Sequence, residues 1–264
     1  MDLQLKNKTA LLTGSTAGIG LAIAKLLAAE GATVYINGRP QQRIDDAIQQ
    51  IKKEVSNANI KGVAADFSNV NEINNLIEQI PEVDILINNV ARFGPKDFVD
   101  ITDEDWMKIF EVNVLSGIRL SRHYFPLMLK KNWGRIIFIS SESALNIPEE
   151  MIHYGMTKTA QLAVSRGLAQ LSKGTNVTVN CVLPGPTNSE GVGAFVEQLA
   201  KQQNKSKEQM IKDFFEHARP SSILQRFTST DEIANLVVYV ASPLSSATNG
   251  AAIKADGGVV RYII

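Results

Sequence analysis

Residues 13–20 read Thr-Gly-Ser-Thr-Ala-Gly-Ile-Gly, between an apolar run, Thr-Ala-Leu-Leu, and the segment Leu-Ala-Ile-Ala-Lys-Leu-Leu-Ala-Ala-Glu-Gly. The first flank reads as a buried strand. The second, taken from Gly18 onward, places Ile19, Ile23, Leu26 and Leu27 along one helical face and ends at Gly31, a stop signal. A strand-to-helix turn needs one glycine, and this one has Gly14, Gly18 and Gly20. Such a turn bends tightly, admits a phosphate group without obstruction from Cβ atoms, and points helix N–H groups and the positive end of the helix dipole at it.

The same alternation continues outward. Short, continuously apolar runs recur at 33–38, 60–65, 83–89, 135–141, 177–185 and 250–258. Strands covered on both faces read this way, whereas strands with one wet face alternate. Helical patterns lie between most of them, which implies right-handed crossovers and a mainly parallel sheet. An eightfold barrel would need eight comparable units, and the chain shows about seven strands plus one long stretch without any. The expectation is an α/β fold: a doubly wound Rossmann sheet of about seven parallel strands with helices on both faces, in a single domain spanning 1–264.

Lys plus Arg number 27 and Asp plus Glu also 27, so no excess positive field exists to collect nucleic acid or an anionic membrane. The single cysteine, Cys181, sits in the apolar run Val-Thr-Val-Asn-Cys-Val-Leu-Pro-Gly and reads as a small core residue. No window reaches the ~18 uninterrupted apolar residues of a membrane span, and the first residues lack the pattern of a targeting peptide. A cytoplasmic location is expected. The three histidines, His123, His153 and His217, lack ligand spacing, and no metal is expected.

Residues 185–229 interrupt the rhythm with a polar, lysine-bearing insertion, expected to form two short helices. Ser206 with Gln209, Ser229 with Glu232, and Thr102 with Asp105 mark helix starts. An insertion beyond the carboxyl end of a strand lies over the ligand crevice of an open sheet and can serve as a lid.

The spacing Thr-Gly-x-x-x-Gly-x-Gly resembles that of the short-chain dehydrogenases/reductases. The resemblance continues through Asn88 and Asn89 in Leu-Ile-Asn-Asn, Asn113 in Val-Asn-Val, Ser140 and Ser141, Tyr154 and Lys158 in Tyr-Gly-Met-Thr-Lys, and Pro184 to Thr187 in Pro-Gly-Pro-Thr. It covers almost the whole chain in the family's order. It implies a dinucleotide site formed by Gly14, Ser15, Thr16, Gly18, Ile19, Gly20, Asn37, Arg39, Asp66, Phe67, Asn89, Val90, Ala91, Tyr154, Lys158, Pro184, Gly185 and Thr187. Within it, Asp66 would meet the adenine, Asn88 the nearby ribose and Thr187 the nicotinamide carboxamide. The family's Asn-Asn-Ala-Gly is here Asn-Asn-Val-Ala, which puts a methyl at Ala91 where backbone and cofactor run close.

NAD-preferring dehydrogenases usually carry a carboxylate at the end of the second strand for the ribose 2′-hydroxyl. Gly38 stands there, followed by Arg39, whose planar fork suits a 2′-phosphate. NADP(H) is therefore expected over NAD(H).

A phenol with pKa near 10 is a poor proton carrier at neutral pH unless its anion is stabilised. Residues four apart share a helical face, so the Lys158 ammonium can do this for Tyr154. Ser141 ends a predicted strand at the edge where open-sheet active sites assemble, and its hydroxyl would bond the substrate oxygen. Ser140 and Ser143 are its rivals, and the family's spacing to the tyrosine selects Ser141. Asn113 has poor helix propensity in a helical segment; the resemblance implies that it holds a water linking the lysine to solvent. Together Asn113, Ser141, Tyr154 and Lys158 imply reversible reduction of a small carbonyl compound by hydride transfer. Substrate choice would rest on the loop after Ser141 and on Asn188, Glu190 and Phe195, and Glu142, Glu149 and Glu150 argue against a polyanionic substrate.

Other readings are a 3-oxoacyl-[acyl-carrier-protein] reductase, with Arg92, Lys96, Arg119 and Arg122 as a basic docking patch, a sugar-nucleotide epimerase, and a catalytically silent dinucleotide-binding regulator. Ala160, Ala163 and Gly167 would let the helix after Tyr154 pack closely against a second copy, in a homodimer or homotetramer.

Overall fold

The computed structural model describes residues 1–193, 197, 200 and 205–263. Seven strands, β1 (Thr9–Leu12), β2 (Thr33–Gly38), β3 (Asn59–Ala64), β4 (Ile85–Asn88), β5 (Gly134–Ile139), β6 (Val177–Pro184) and β9 (Ala252–Ala255), form one sheet in the order β3-β2-β1-β4-β5-β6-β9. Every pairing is parallel. The chain moves outward from β1 to β3, returns to β4 beside β1, and continues the other way. That reversal leaves a crevice at the carboxyl ends of β1 and β4.

The strands are apolar throughout because both faces are covered. Helices α1 (Gly18–Ala29), α2 (Gln41–Glu54) and α8 (Thr230–Ala241) enclose one core with Leu12, Val34, Ile36, Ile87 and Ile137. Helices α3 (Val70–Gln79), α5 (Ser116–Lys131) and α6 (Ile152–Leu171) enclose the other with Leu11, Leu86, Ile136, Phe138 and Cys181. Alternate residues of β5 thus go to opposite cores, as the pleat requires. Cys181 is 1% exposed, in the core role its surroundings in sequence indicate.

Capping follows the sequence signals closely. Thr102 and Asp105 form a reciprocal capping box at α4 (Asp103–Phe110), as do Ser229 and Glu232 at α8. Ser206 caps α7 (Lys207–Asp213) by accepting from the Gln209 N–H. Between α4 and α5 the helix widens into a π turn over Glu111–Leu115, which contains Asn113.

The insertion leaves and rejoins the domain at one place, where β7 (Thr187–Asn188) pairs with β8 (Thr228–Ser229). Residues 190–193 are helical and α7 runs on into a second π turn, Phe214–Ala218; Phe195, named above for substrate choice, lies outside the described residues. Among the described residues no helix is long and apolar enough to cross a membrane.

Ile137, 1% exposed, pairs with Ile87 and Asn180 in the middle of the sheet. Ile137→Ala should cost about 2–5 kcal/mol, seen as a lower urea midpoint with an unchanged transition slope.

Candidate active site

The glycine turn is built around missing side chains. Gly14 and Gly18 have φ of 58° and 56°, a region that glycine enters freely. A Cβ at Gly14 would lie 3.0 Å from the Val90 Cα, and one at Gly20 would lie 2.5 Å from the Gly14 carbonyl oxygen and 2.7 Å from the Asn89 Nδ2. The first turn of α1 therefore sits directly against the ends of β1 and β4. Its N-cap is Ala17, which has no side chain to accept the first N–H groups, and no acidic residue lies in that turn. Those N–H groups and the helix dipole fit the pyrophosphate of a dinucleotide.

Polar bracing holds the turn. Asn37, 1% exposed, accepts from the Gly14 N–H at 3.2 Å and donates to the Val63 and Ala65 carbonyls at 3.1 and 3.3 Å. Ser15 is fully buried and donates to the Leu12 carbonyl at 2.8 Å. Both side chains are engaged within the protein. Asn89 donates to the Thr13 and Gly14 carbonyls at 3.0 and 2.7 Å. The Thr13 hydroxyl accepts from the N–H groups of Asn89 and Val90 at 2.9 and 3.0 Å, a role that sequence reasoning passed over although Thr13 opens the motif.

Asn88 is 4% exposed, and a Cβ on Gly117 of α5 would lie 3.3 Å from its amide carbon. Ala91 is exposed, just past the end of β4. Ile19 packs on the first core, while Phe67 is 3% exposed.

At the end of β2, a Cβ on Gly38 would fall 2.4 Å from Thr16 Cγ2, so a carboxylate there would require Thr16 to move. Arg39 forms an ion pair with Asp66, joining the ends of β2 and β3 with its own side chain 65% exposed. Asp66 also accepts from the Ser68 N–H and hydroxyl at 2.9 and 2.8 Å. At the far side, a Cβ on Gly185 would lie 2.5 Å from the Asp256 carbonyl oxygen, so β6 presses close to the chain after β9. Pro184 ends β6, and the Thr187 hydroxyl meets Gly185 and Thr228 at 2.9 and 3.0 Å.

Ser141, Tyr154 and Lys158 converge past the carboxyl end of β5. The three neighbouring serines separate by environment. Ser140 donates to the Lys158 carbonyl at 2.9 Å and Ser143 is 3% exposed, whereas the Ser141 hydroxyl accepts from the Ser143 N–H at 3.1 Å and acts on the Tyr154 phenol. Lys158 Nζ lies 5.5 Å from the centroid of the Tyr154 ring and donates to the Ile139 carbonyl at 2.8 Å. Phe93 meets the same ring edge-on at 6.1 Å.

Desolvation dominates the electrostatics. Burial pushes the Tyr154 phenol up to about 12, with the Ser141 hydroxyl opposing it. Burial likewise pulls the Lys158 ammonium down to about 7. Each shift disfavours the charged form, so at neutral pH the phenol holds its proton. The site can donate that proton, and a positively charged Lys158 nearby would steady the phenolate left behind.

Asn113 is 1% exposed. Its amide accepts from the Arg92 N–H at 2.7 Å and donates to the Arg92 carbonyl at 2.9 Å and to the Thr157 hydroxyl at 3.0 Å, while its own carbonyl accepts from Gln161 at 2.6 Å. All its polar groups therefore meet protein partners, and it ties the loop after β4 to α6 at the level of Tyr154. Thr157 and Gln161, which complete this network, went unremarked in the sequence because neither belongs to a spaced motif.

Comparison with known proteins bears on the family and the fold. The short chain dehydrogenase family model matches residues 8–200. The oxidoreductase YvaG of Bacillus subtilis is 48% identical over 263 residues, covering all of both chains. A 3-oxoacyl-[acyl-carrier-protein] reductase of Aquifex aeolicus is 31% identical, covering 98% of this chain and all of that one. The crystal structure of L-sorbose reductase from Gluconobacter frateurii, complexed with NADPH and L-sorbose, superposes with a TM-score of 0.93 at 28% identity, covering all of both chains.

A buried amine leaves a pH signature. The unfolded chain holds a proton on Lys158 up to its ordinary value of 10.5, and the folded chain releases it near 7. The unfolded state therefore binds more protons between those values, and this group's contribution makes stability rise with pH across that window. In urea unfolding from pH 7 to 9, Lys158→Met should remove that part of the rise relative to wild type; parallel curves would contradict a desolvated amine.

By the family match over most of its length the chain belongs to the short-chain dehydrogenase/reductase family, as an NAD(P)-dependent carbonyl/alcohol oxidoreductase.

Proposed function

We propose that this protein reduces a small carbonyl compound to the alcohol, reversibly, with NADP(H) preferred over NAD(H), through Ser141, Tyr154 and Lys158 with Asn113 as a positioning residue. The observation that carries the reading is the meeting of a protonated, half-buried phenol, a hydroxyl and a buried amine at the carboxyl edge of the sheet, beside a glycine cradle that fits a pyrophosphate. A bound nicotinamide would supply the hydride. Tyr154 would donate its proton to the substrate oxygen, and Ser141 would hydrogen-bond that oxygen and hold it in line. Lys158, when charged, would stabilise the phenolate until solvent restores the proton. Asn113, through Thr157 and Gln161, would keep α6 in register with the loop after β4.

The nucleotide preference rests on the end of β2, where Gly38 gives no carboxylate and Arg39 offers a mostly exposed guanidinium. In this reading Arg39 exchanges part of its pairing with Asp66 for the 2′-phosphate. The sorbose reductase's complex with NADPH is consistent with it. Hydrogen bonds to a charged group are worth ~1.5–3 kcal/mol, so Arg39→Leu should raise KM for NADPH about 10–100-fold and leave that for NADH nearly unchanged.

A small-molecule substrate is favoured over an acyl carrier protein because part of the basic patch is already paired. Lys96 lies 2.5 Å from Asp105 and Arg119 lies 3.1 Å from Glu111. We also propose a homodimer or homotetramer formed through α6, whose Ala163 and Gly167 are exposed. Gel filtration of the purified protein tests it, and a cytoplasmic location is proposed with it.

Following NADPH and NADH absorbance over aldehydes, ketones, hydroxyketones and acyl thioesters decides the reaction. Tyr154→Phe should lower kcat/KM by roughly 10²–10⁴ with nucleotide binding intact. A variant as active as wild type would remove Tyr154 from the mechanism, and nucleotide binding without turnover in the wild type would favour a regulator.

A further inference from the structure

Beside the catalytic serine lies a dry ion pair that the reaction as described does not use. Arg219 Nε donates to Glu142 Oε1 at 2.9 Å across 77 positions of sequence, with the side chains 9% and 5% exposed. Glu142 directly follows Ser141 and begins the 3-10 turn Glu142–Ala144; its carbonyl accepts from the N–H groups of Leu145 and Asn146 at 3.0 and 2.9 Å. Arg219 closes the π turn of the insertion. Its N–H donates to the Phe214 carbonyl at 2.9 Å, its Nη1 to the Ala218 carbonyl at 2.8 Å, and its guanidinium lies 5.8 Å from the Phe214 ring centroid. Each partner is thus held by its own turn before the two meet.

Such a pair is weak evidence for stability, since apolar residues of similar volume often serve as well. Its position suggests another use. The charged or polar groups that act on Tyr154 are Lys158 from its own helix, Ser141 and Glu142 from the turn after β5, and Arg219 from the insertion; Phe93 contributes only an apolar edge. Around the pair itself, Glu150 lies 4.0 Å from Arg219 Nη1, and Asp256 acts on Glu142 while accepting from the Gly258 and Val260 N–H groups at 3.0 and 2.8 Å.

We propose that Glu142 and Arg219 are positioning residues for the reaction: the pair pins the part of the insertion around α7 and its π turn onto the turn that carries Ser141, and so holds the Ser141 hydroxyl in place beside Tyr154. The effect on turnover rests on the function proposed above, while the pin itself does not.

The test uses Glu142→Gln, Arg219→Met, the double variant and Arg219→Lys in the full chain. In carbonyl reduction Glu142→Gln and Arg219→Met should each lower kcat about tenfold with KM for the nucleotide unchanged. The double variant should fall no further than either single one, and Arg219→Lys should stay near wild type. An unchanged kcat in both single variants, or a fall that Arg219→Lys shares, overturns the positioning role. In the unliganded protein, amide hydrogen exchange over residues 207–226 should accelerate at least tenfold in Glu142→Gln and Arg219→Met but not in Arg219→Lys; unchanged exchange overturns the pin. A wild type that turns over no carbonyl would refute the function proposed above and with it the effect on turnover, while the exchange data still decide the pin.

Discussion

The site depends on a lysine amine held out of water beside a phenol. Lys158 is 2% exposed, and an ammonium in that position needs a partner or it gives up its proton. The Ile139 carbonyl, at the very end of β5, is that partner. The bond fixes how far along the sheet α6 can lie, and with it where Tyr154, one turn earlier, presents its hydroxyl. Ser140 strengthens the same junction from the other side by donating to the Lys158 carbonyl. One strand end and one helix are thus cross-linked twice, and Ser141, the next residue, is left to face the phenol. The amine's cost to folding is full below about 7 and fades as pH rises to its ordinary value of 10.5.

The glycine turn is solved differently, by close approach instead of charge. Backbone from β1, β4 and α1 meets at distances that a single Cβ at position 20 would violate, and the polar atoms so crowded are matched one by one by Thr13, Asn37 and Asn89. What remains unmatched is the first turn of α1, capped only by Ala17. The cradle is therefore rigid in its walls and open at the N–H groups that fit a phosphate.

Much of this could be read from the residues because each feature had a local cause. Continuous apolar runs gave the seven strands, since a strand buried on both faces has no polar side to show. Thr102, Ser206 and Ser229 gave helix starts because a cap acts within three residues. Motif spacing singled out Ser141 over its rivals, and in the structure the Ser140 hydroxyl is turned to the Lys158 carbonyl instead. The buried pair was invisible for the opposite reason. Glu142 read as one acid among several, Arg219 belongs to no spaced motif, and only the return of the chain across 77 positions brings them together. Thr157 and Gln161 were missed likewise, because their partner Asn113 lies on a different helical segment and enters reach through the π turn at Glu111–Leu115.

That return also bears on what a lid can mean here. The insertion is tied down at β7–β8, at Arg219, and again where the Ile223 and Leu224 N–H groups both donate to the Gly257 carbonyl at 2.8 and 3.0 Å. Residues 219–229 consequently belong to the fixed wall of the crevice, together with β6 and the chain after β9. An aromatic cluster of Phe214, Phe215 and Phe227, with ring centroids 5.1–5.2 Å apart, binds the π turn to that wall.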